Sequence, residues 1–195
     1  MKRVGITGGI GSGKTFFCHR LEAAGLSVFY ADIESRRLLE NDERLKLQIK
    51  QLLGEESYNG ELPNRSYIAS RIFQDPTLRE QMNALVHPRV LEAFEQWCGQ
   101  RAEDGERVVL MESAILFESG FNRYVDTVVV VSAPENERLE RTIERDHTNE
   151  AAVRERMAAQ WSEEKKAAKA DFILSNSQLD DANKQIFELL KFLEV

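Results

Sequence analysis

Residues 8–15 read Gly-Gly-Ile-Gly-Ser-Gly-Lys-Thr and bring four glycines, a lysine and two hydroxyls into one short stretch. Gly8, Gly13, Lys14 and Thr15 satisfy the pattern G-x-x-x-x-G-K-[ST], with an apolar run before it and a helical pattern after it. That arrangement suits the chemistry of phosphate. Glycines let the main chain wrap an anion, and the N–H groups at a helix start point at it. A lysine then reaches the outer phosphate oxygens and a hydroxyl reaches a magnesium ion. Gly11, Ser12, Gly13, Lys14 and Thr15 are therefore the expected phosphate binders, with Lys14 also catalytic and Thr15 on the metal. The alternative is a glycine-rich turn that binds nothing.

A phosphate loop specifies a nucleotide and leaves the reaction open. Asp32 closes the run Val28-Phe29-Tyr30-Ala31-Asp32, read as the end of a second strand, and ligands of open α/β sheets sit at the carboxyl ends of strands. There it can orient an attacking hydroxyl and accept its proton late in phosphoryl transfer, or it can cap a following helix. Arg138, Arg141 and Arg145 share one helical face, with Arg154 and Arg156 beyond the polar turn 146–149. They read either as a hinged lid over the phosphates or as a solvated face paired with Glu137, Glu140 and Glu144. Glu112 ends a third apolar run and is a second candidate for the metal's shell, or a helix cap. His87 precedes Pro88, read here as a helix start. A lone histidine of this kind is structural or touches substrate.

The elements that must position these groups alternate. Strand-like runs at 2–7, 26–32, 107–111, 126–132 and 171–175 are separated by helical patterns, which predicts an α/β fold around a mostly parallel five-stranded sheet with right-handed crossovers. A helix is predicted from Gly13 or Lys14 to Ala23, stopped by Gly25. Leu179, Ala182, Ile186, Leu189 and Leu193 give the last helix a core-facing stripe. Residues 33–102 are too long for one crossover and read as a helical insertion with a polar turn at 54–64.

At 195 residues the chain suits one domain with a small insertion. Its formal charge of −7 argues against broad nucleic-acid or anionic-membrane binding. The longest uncharged run, Val4 to Gly13, holds ten residues and is glycine-rich, so neither a membrane span nor a signal peptide is expected and the location reads as cytoplasmic. Cys18 and Cys98 lack metal or redox spacing and are expected to be free thiols. A GTPase switch would carry N-K-x-D and D-x-x-G. Here Asn183-Lys184 is followed by Gln-Ile, and D-x-x-G occurs nowhere.

Taken in order, "GITGGIGSGKT" at 5–15, "YAD" at 30–32 with Arg36 or Arg37 after it, "HP" at 87–88, "SAILFESG" at 113–120, "RLERTIERD" at 138–146, "AAQ" at 158–160 and "ADFILSNS" at 170–177 resemble the dephospho-CoA kinase family over nearly the full chain. The resemblance implies a P-loop NTPase three-layer sandwich with a helical substrate-binding insertion and a helical lid. It implies a core at 1–32 and 103–195, an acceptor (CoA) domain at 33–102 and a lid at 138–160. The implied reaction is transfer of the γ-phosphate of ATP, with Mg2+, to the ribose 3′-hydroxyl of dephospho-CoA. By position Asp32 matches the proposed catalytic aspartate and Arg141 the lid arginine. Arg145 joins the nucleotide side, Arg36 and His87 the acceptor side, and Asn176 the neighbourhood of the adenine. The family commonly reads D-x-P-L-L-F-E where this chain has Glu112 to Glu118, so the detailed metal contact of Glu112 differs by one methylene. A monomer is expected over an oligomer. Two other readings use the same loop: a kinase of a nucleoside monophosphate or another small molecule, and a nonenzymatic nucleotide switch.

Overall fold

The computed structural model describes residues 1–177 and 181–195. In chain order its elements are β1 (Lys2–Thr7), α1 (Lys14–Ala23), β2 (Ser27–Tyr30), α2 (Ala31–Asn41), α3 (Glu43–Leu53), a 3-10 turn (Glu55–Ser57), β3 (Tyr58–Asn59), β4 (Leu62–Pro63), α4 (Arg65–Gln74) and α5 (Pro76–Glu103). They continue with β5 (Val108–Glu112), a second 3-10 turn (Phe121–Tyr124), β6 (Thr127–Ser132), α6 (Glu135–Asp146), α7 (Glu150–Ala158), α8 (Glu163–Ala167), β7 (Phe172–Ser175) and α9 (Ala182–Leu193). The chain divides into two units, one of residues 1–30 and 100–195 and the other of residues 31–99.

The first unit is built on five strands in the order β2-β5-β1-β6-β7. Every neighbouring pair is parallel, so the sheet is wholly parallel. Parallel strands carry crossover helices and are buried on both faces, which is why β5 and β6 are nearly continuous apolar runs. Along β1 the side chains alternate, and Val4 and Ile6 share a core with Phe17, Cys18 and Leu21 of α1 and with Ile186, Leu189 and Leu193 of α9. Leu179, read as part of the same stripe, lies outside the described residues. Cys18 and Cys98 are both buried free thiols.

The second unit holds α2, α3, α4, the β3–β4 antiparallel hairpin and most of α5. The polar turn at 54–64 contains this hairpin, and the Tyr58 hydroxyl donates to the Leu39 carbonyl at 2.8 Å. Lys46 pairs with Glu61 within the same unit.

Two local expectations need correction. Asp32 does not end a strand: β2 stops at Tyr30, and Asp32 lies in the first turn of α2 with Glu34. Acidic side chains there complement the partial positive charge of a helix start, which favours the early switch to helix. Nor does Pro88 start a helix, since it sits inside the 28-residue α5. The start is at Pro76, where Asp75 accepts from the Thr77 and Leu78 N–H groups at 2.8 and 3.2 Å. An interior proline costs a helix about 3 kcal/mol. Here Pro88 and Ala84, one turn back, are exposed, so the carbonyl that loses its donor is on the solvated side. The opposite stripe, Met82, Val86, Val90, Phe94 and Cys98, is buried and carries the helix through.

One glycine in the sheet answers to packing alone. A Cβ on Gly5 would stand 2.7 Å from Leu116 Cδ2 and 3.1 Å from Val125 Cγ2, and Leu116 has no exposed surface. Gly5→Val is expected to destabilise the chain by about 1–3 kcal/mol through overpacking. Urea denaturation measures this, and an unchanged midpoint would show slack in that layer.

Candidate active site

Helix α1 begins without a side-chain cap. Asp42, Asn64, Asn149, Ser162 and Asp181 each accept a backbone N–H at the starts of α3, α4, α7, α8 and α9. The position before α1 is Gly13, with φ 91° and no side-chain bond. The first N–H groups of a helix have no partner inside it. Leaving them uncapped after a glycine loop reserves them for an anion.

The loop is held close by its surroundings. A Cβ on Gly8 would run into the Val131 carbonyl oxygen, and one on Gly13 into the Asn176 amide nitrogen. Asn176 donates from Nδ2 to the Ser12 carbonyl at 2.8 Å, while its own carbonyl accepts from Arg141 Nη2 at 2.9 Å. Lys14 is buried, and its Nζ donates to the carbonyls of Gly8 and Gly9 at 3.1 and 3.3 Å. The ammonium thus lies folded along the loop. Thr15 is exposed in the first turn of α1.

Glu112 ends β5, in register with Ile6 of β1 and Tyr30 of β2, and is 6% exposed. It reaches the same neighbourhood electrostatically. Burial pushes the Cys18 thiol well above its ordinary range, the Glu112 carboxylate pushes it further, and Lys14 opposes. Buried Ser12 Oγ and Thr7 Oγ1 have no hydrogen-bond partner among the described residues. Oxygen donors of this kind, with the Thr15 hydroxyl and the Glu112 carboxylate, match the preference of a hard divalent cation. Residues and group fit.

The arginines divide. Arg138 and Arg141 lie at the loop: Arg138 Nη1 is 3.6 Å from Glu163, and Arg141 Nη2 is 2.6 Å from Glu137. Arg138 Nε and Arg141 Nη1 are buried donors without a partner among the described residues. Guanidinium groups with unspent donors suit phosphate oxygens. Arg145 turns instead to Asp146, which Arg156 also pairs at 2.7 Å, and the two guanidiniums hold that carboxyl well below the usual range. Arg154 bridges Glu135 and Glu150 at the surface. The helical hairpin of α6 and α7 therefore carries both cations with donors to spare and surface ion pairs.

Within the second unit, Asp32 and Arg36 are exposed on α2, and Arg37 pairs with Glu34 at 2.9 Å. His87 is half-buried in α5. Two other residues stand at the loop, Glu163 without a signal in the sequence and Gln160 only as the last residue of the family-like AAQ at 158–160. Gln160 and Glu163 both accept loop N–H groups, although Glu163-Glu164-Lys165-Lys166 reads as a solvated helix start.

A model of the family described as dephospho-CoA kinase matches residues 2–181. The chain is 39% identical to a dephospho-CoA kinase of Bacteroides fragilis over 191 residues, covering 98% of this chain and 92% of that protein. The chain belongs to the dephospho-CoA kinase family. Its fold matches the crystal structure of TT1252 from Thermus thermophilus with a TM-score of 0.84 at 30% identity, covering 99% and 96% of the two chains. A dephospho-CoA kinase from Campylobacter jejuni matches with a TM-score of 0.72 at 21% identity, covering 99% and 98%, and shares the fold. The family fold is an α/β P-loop sandwich around a parallel sheet, as described above. No helix among the described residues is long and apolar enough to cross a membrane.

His87 generates a pH dependence that is separate from catalysis. Burial holds its imidazole below the ordinary value of 6.5. In the unfolded chain it takes up a proton as pH falls through about 6.5, while the folded chain resists. Stability contributed by neutral His87 is thus full above that value and is lost as pH falls toward the folded value. His87→Gln is expected to flatten the difference in urea midpoint between pH about 7.5 and about 5.5. An equal slope in both proteins would contradict it.

Proposed function

We propose that this chain transfers the γ-phosphoryl group of ATP to the ribose 3′-hydroxyl of dephospho-CoA, with the loop at 8–15 as the phosphate cradle. The observation that carries the reading is the uncapped, glycine-led start of α1 beside buried Lys14, in a chain that the family matches from residue 2 to 181. Gly11, Gly13 and Thr15 supply main-chain N–H groups to the phosphates, and Ser12 joins them as its N–H leaves the Gly9 carbonyl, to which it donates at 3.1 Å in this structure. Lys14 leaves the loop carbonyls for the β/γ oxygens, exchanging two neutral acceptors for anionic ones. Thr15 and Glu112 would hold the Mg2+ that accompanies ATP, which would supply positive charge to offset that of the phosphates.

Asp32 orients the 3′-hydroxyl and takes its proton as the new O–P bond forms and the bond from the γ-phosphorus to the β,γ-bridging oxygen breaks, releasing ADP. Arg141 stabilises the charge spread over the moving phosphoryl oxygens with its unspent donor. Arg145 assists on the nucleotide side after giving up Asp146, and Asn176 lies toward the adenine. Residues 33–102 serve the acceptor, with Arg36 and His87 on the substrate, and residues 138–160 close as the lid. The core is then 1–32 and 103–195. We place the protein in the cytoplasm, as a monomer.

Lys14→Ala is expected to abolish measurable transfer, and near-normal turnover would remove the loop from the mechanism. Asp32→Asn keeps the shape and loses the proton acceptor. Its kcat should fall by about 10²- to 10⁴-fold with ATP affinity little changed. Unaltered kcat would assign Asp32 to the start of α2 alone.

A further inference from the structure

The first half of the glycine loop is fastened from outside by the segment that joins α7 to α8. Gly9 N–H donates to Glu163 Oε1 at 2.7 Å, and Ile10 N–H donates to Gln160 Oε1 at 2.9 Å. The Glu163 carboxylate is also 3.6 Å from the Arg138 guanidinium, with the two side chains 12% and 10% exposed. A carboxylate that accepts from a main-chain N–H makes a charge-assisted bond, about twice as strong as a neutral one.

The joining segment is itself fixed. Trp161 N–H donates to Glu118 Oε1 at 2.8 Å, and its ring stacks on Phe117 at 5.5 Å between centroids. Lys166 has no exposed surface; its Nζ donates to the Ala114 carbonyl at 2.7 Å and stands 3.2 Å from Glu118 Oε1. Removing one partner of such a buried pair is costly, so the segment has one place to sit. Residues 113–120 therefore hold 160–166, which in turn hold the loop.

We infer that Gln160 and Glu163 are positioning residues: they fix the peptide planes of Gly9 and Ile10 and so set the orientation of the phosphate cradle that follows. The inference rests on the nucleotide-binding reading above. Both side chains also line a cavity of ≈ 740 Å3. If either is shortened, water can reach the abandoned N–H group, so the fold persists while the loop gains freedom. That separates a positioning role from a structural one.

The test measures ADP affinity by calorimetry on the full chain, with thermal midpoint, kcat and both KM values, for wild type, Gln160→Ala, Glu163→Ala and Glu163→Gln. The two alanine variants should each weaken ADP binding about tenfold, the scale of one lost hydrogen bond of this strength. KM for ATP should rise in parallel, and KM for dephospho-CoA should stay within about twofold. Glu163→Gln keeps a carbonyl oxygen for the Gly9 N–H and should recover most of the affinity. Unchanged ADP affinity in both alanine variants overturns the inference. So does a Glu163→Gln protein as weak as Glu163→Ala, which would assign the loss to the Arg138 pair. ADP binding needs no acceptor, so wild-type protein that binds ADP yet leaves dephospho-CoA unmodified contradicts the acceptor and leaves the positioning test intact. Wild-type protein that binds no ADP overturns both.

Discussion

The N–H groups at the start of α1 have no side-chain cap, and much of the first unit is arranged around that glycine-led helix start. A capping residue in place of Gly13 would satisfy one of these donors at the expense of the ligand, and no side chain fits there because the Asn176 amide occupies the space. Orphan donors at a helix start cost stability unless water or an anion takes them up. The fold bears that cost locally and surrounds the loop with neighbours that keep it in shape: Val131 behind Gly8, Asn176 against Ser12 and Gly13, Gln160 and Glu163 against Ile10 and Gly9.

Charge is organised by the same need. Lys14 and Glu112 lie close enough to act on the same buried thiol with opposite sign. Arg138 and Arg141 approach the loop from α6, each with a buried donor left over, while Arg145, Arg154 and Arg156 of the same hairpin are paired with Asp146, Glu135 and Glu150. Cations near the loop keep capacity in reserve, and cations away from it are spent on neighbours. A net charge of −7 therefore coexists with a local cluster of cations at the glycine loop.

β1, β5, β6 and β7 fall within one residue of the expected bounds; β5 and β6 were legible because strands buried on both faces read as unbroken apolar runs, while the edge strand β7, with Ile173 and Ser175 exposed, shows only as the short apolar run Phe172-Ile173-Leu174. The loop and α1 were legible because glycine spacing and a lysine have few other uses together. Asp32 was misplaced by two residues because Tyr30-Ala31 continues the apolar run of Val28-Phe29, whereas α2 already begins at Ala31 and takes Asp32 into its first turn. Pro88 misled because its local preference for a helix start was overridden by a buried stripe spanning five turns of α5, visible only once tertiary burial is known. The contacts of Gln160, Glu163 and Lys166 join residues about 50 to 150 positions apart through single side chains, and such pairings leave no periodic trace in a sequence.

On the proposed reading, the loop at the start of α1 delivers a phosphoryl group to one acceptor alcohol. The most direct measurement is ADP release from ATP and Mg2+ in the presence of dephospho-CoA, beside AMP, CMP and adenosine, with the mass of each product determined. A single added phosphate on dephospho-CoA, with the other acceptors unmodified, is the result predicted. Transfer to a nucleoside monophosphate, or ATP binding with no transfer to any acceptor, would contradict it.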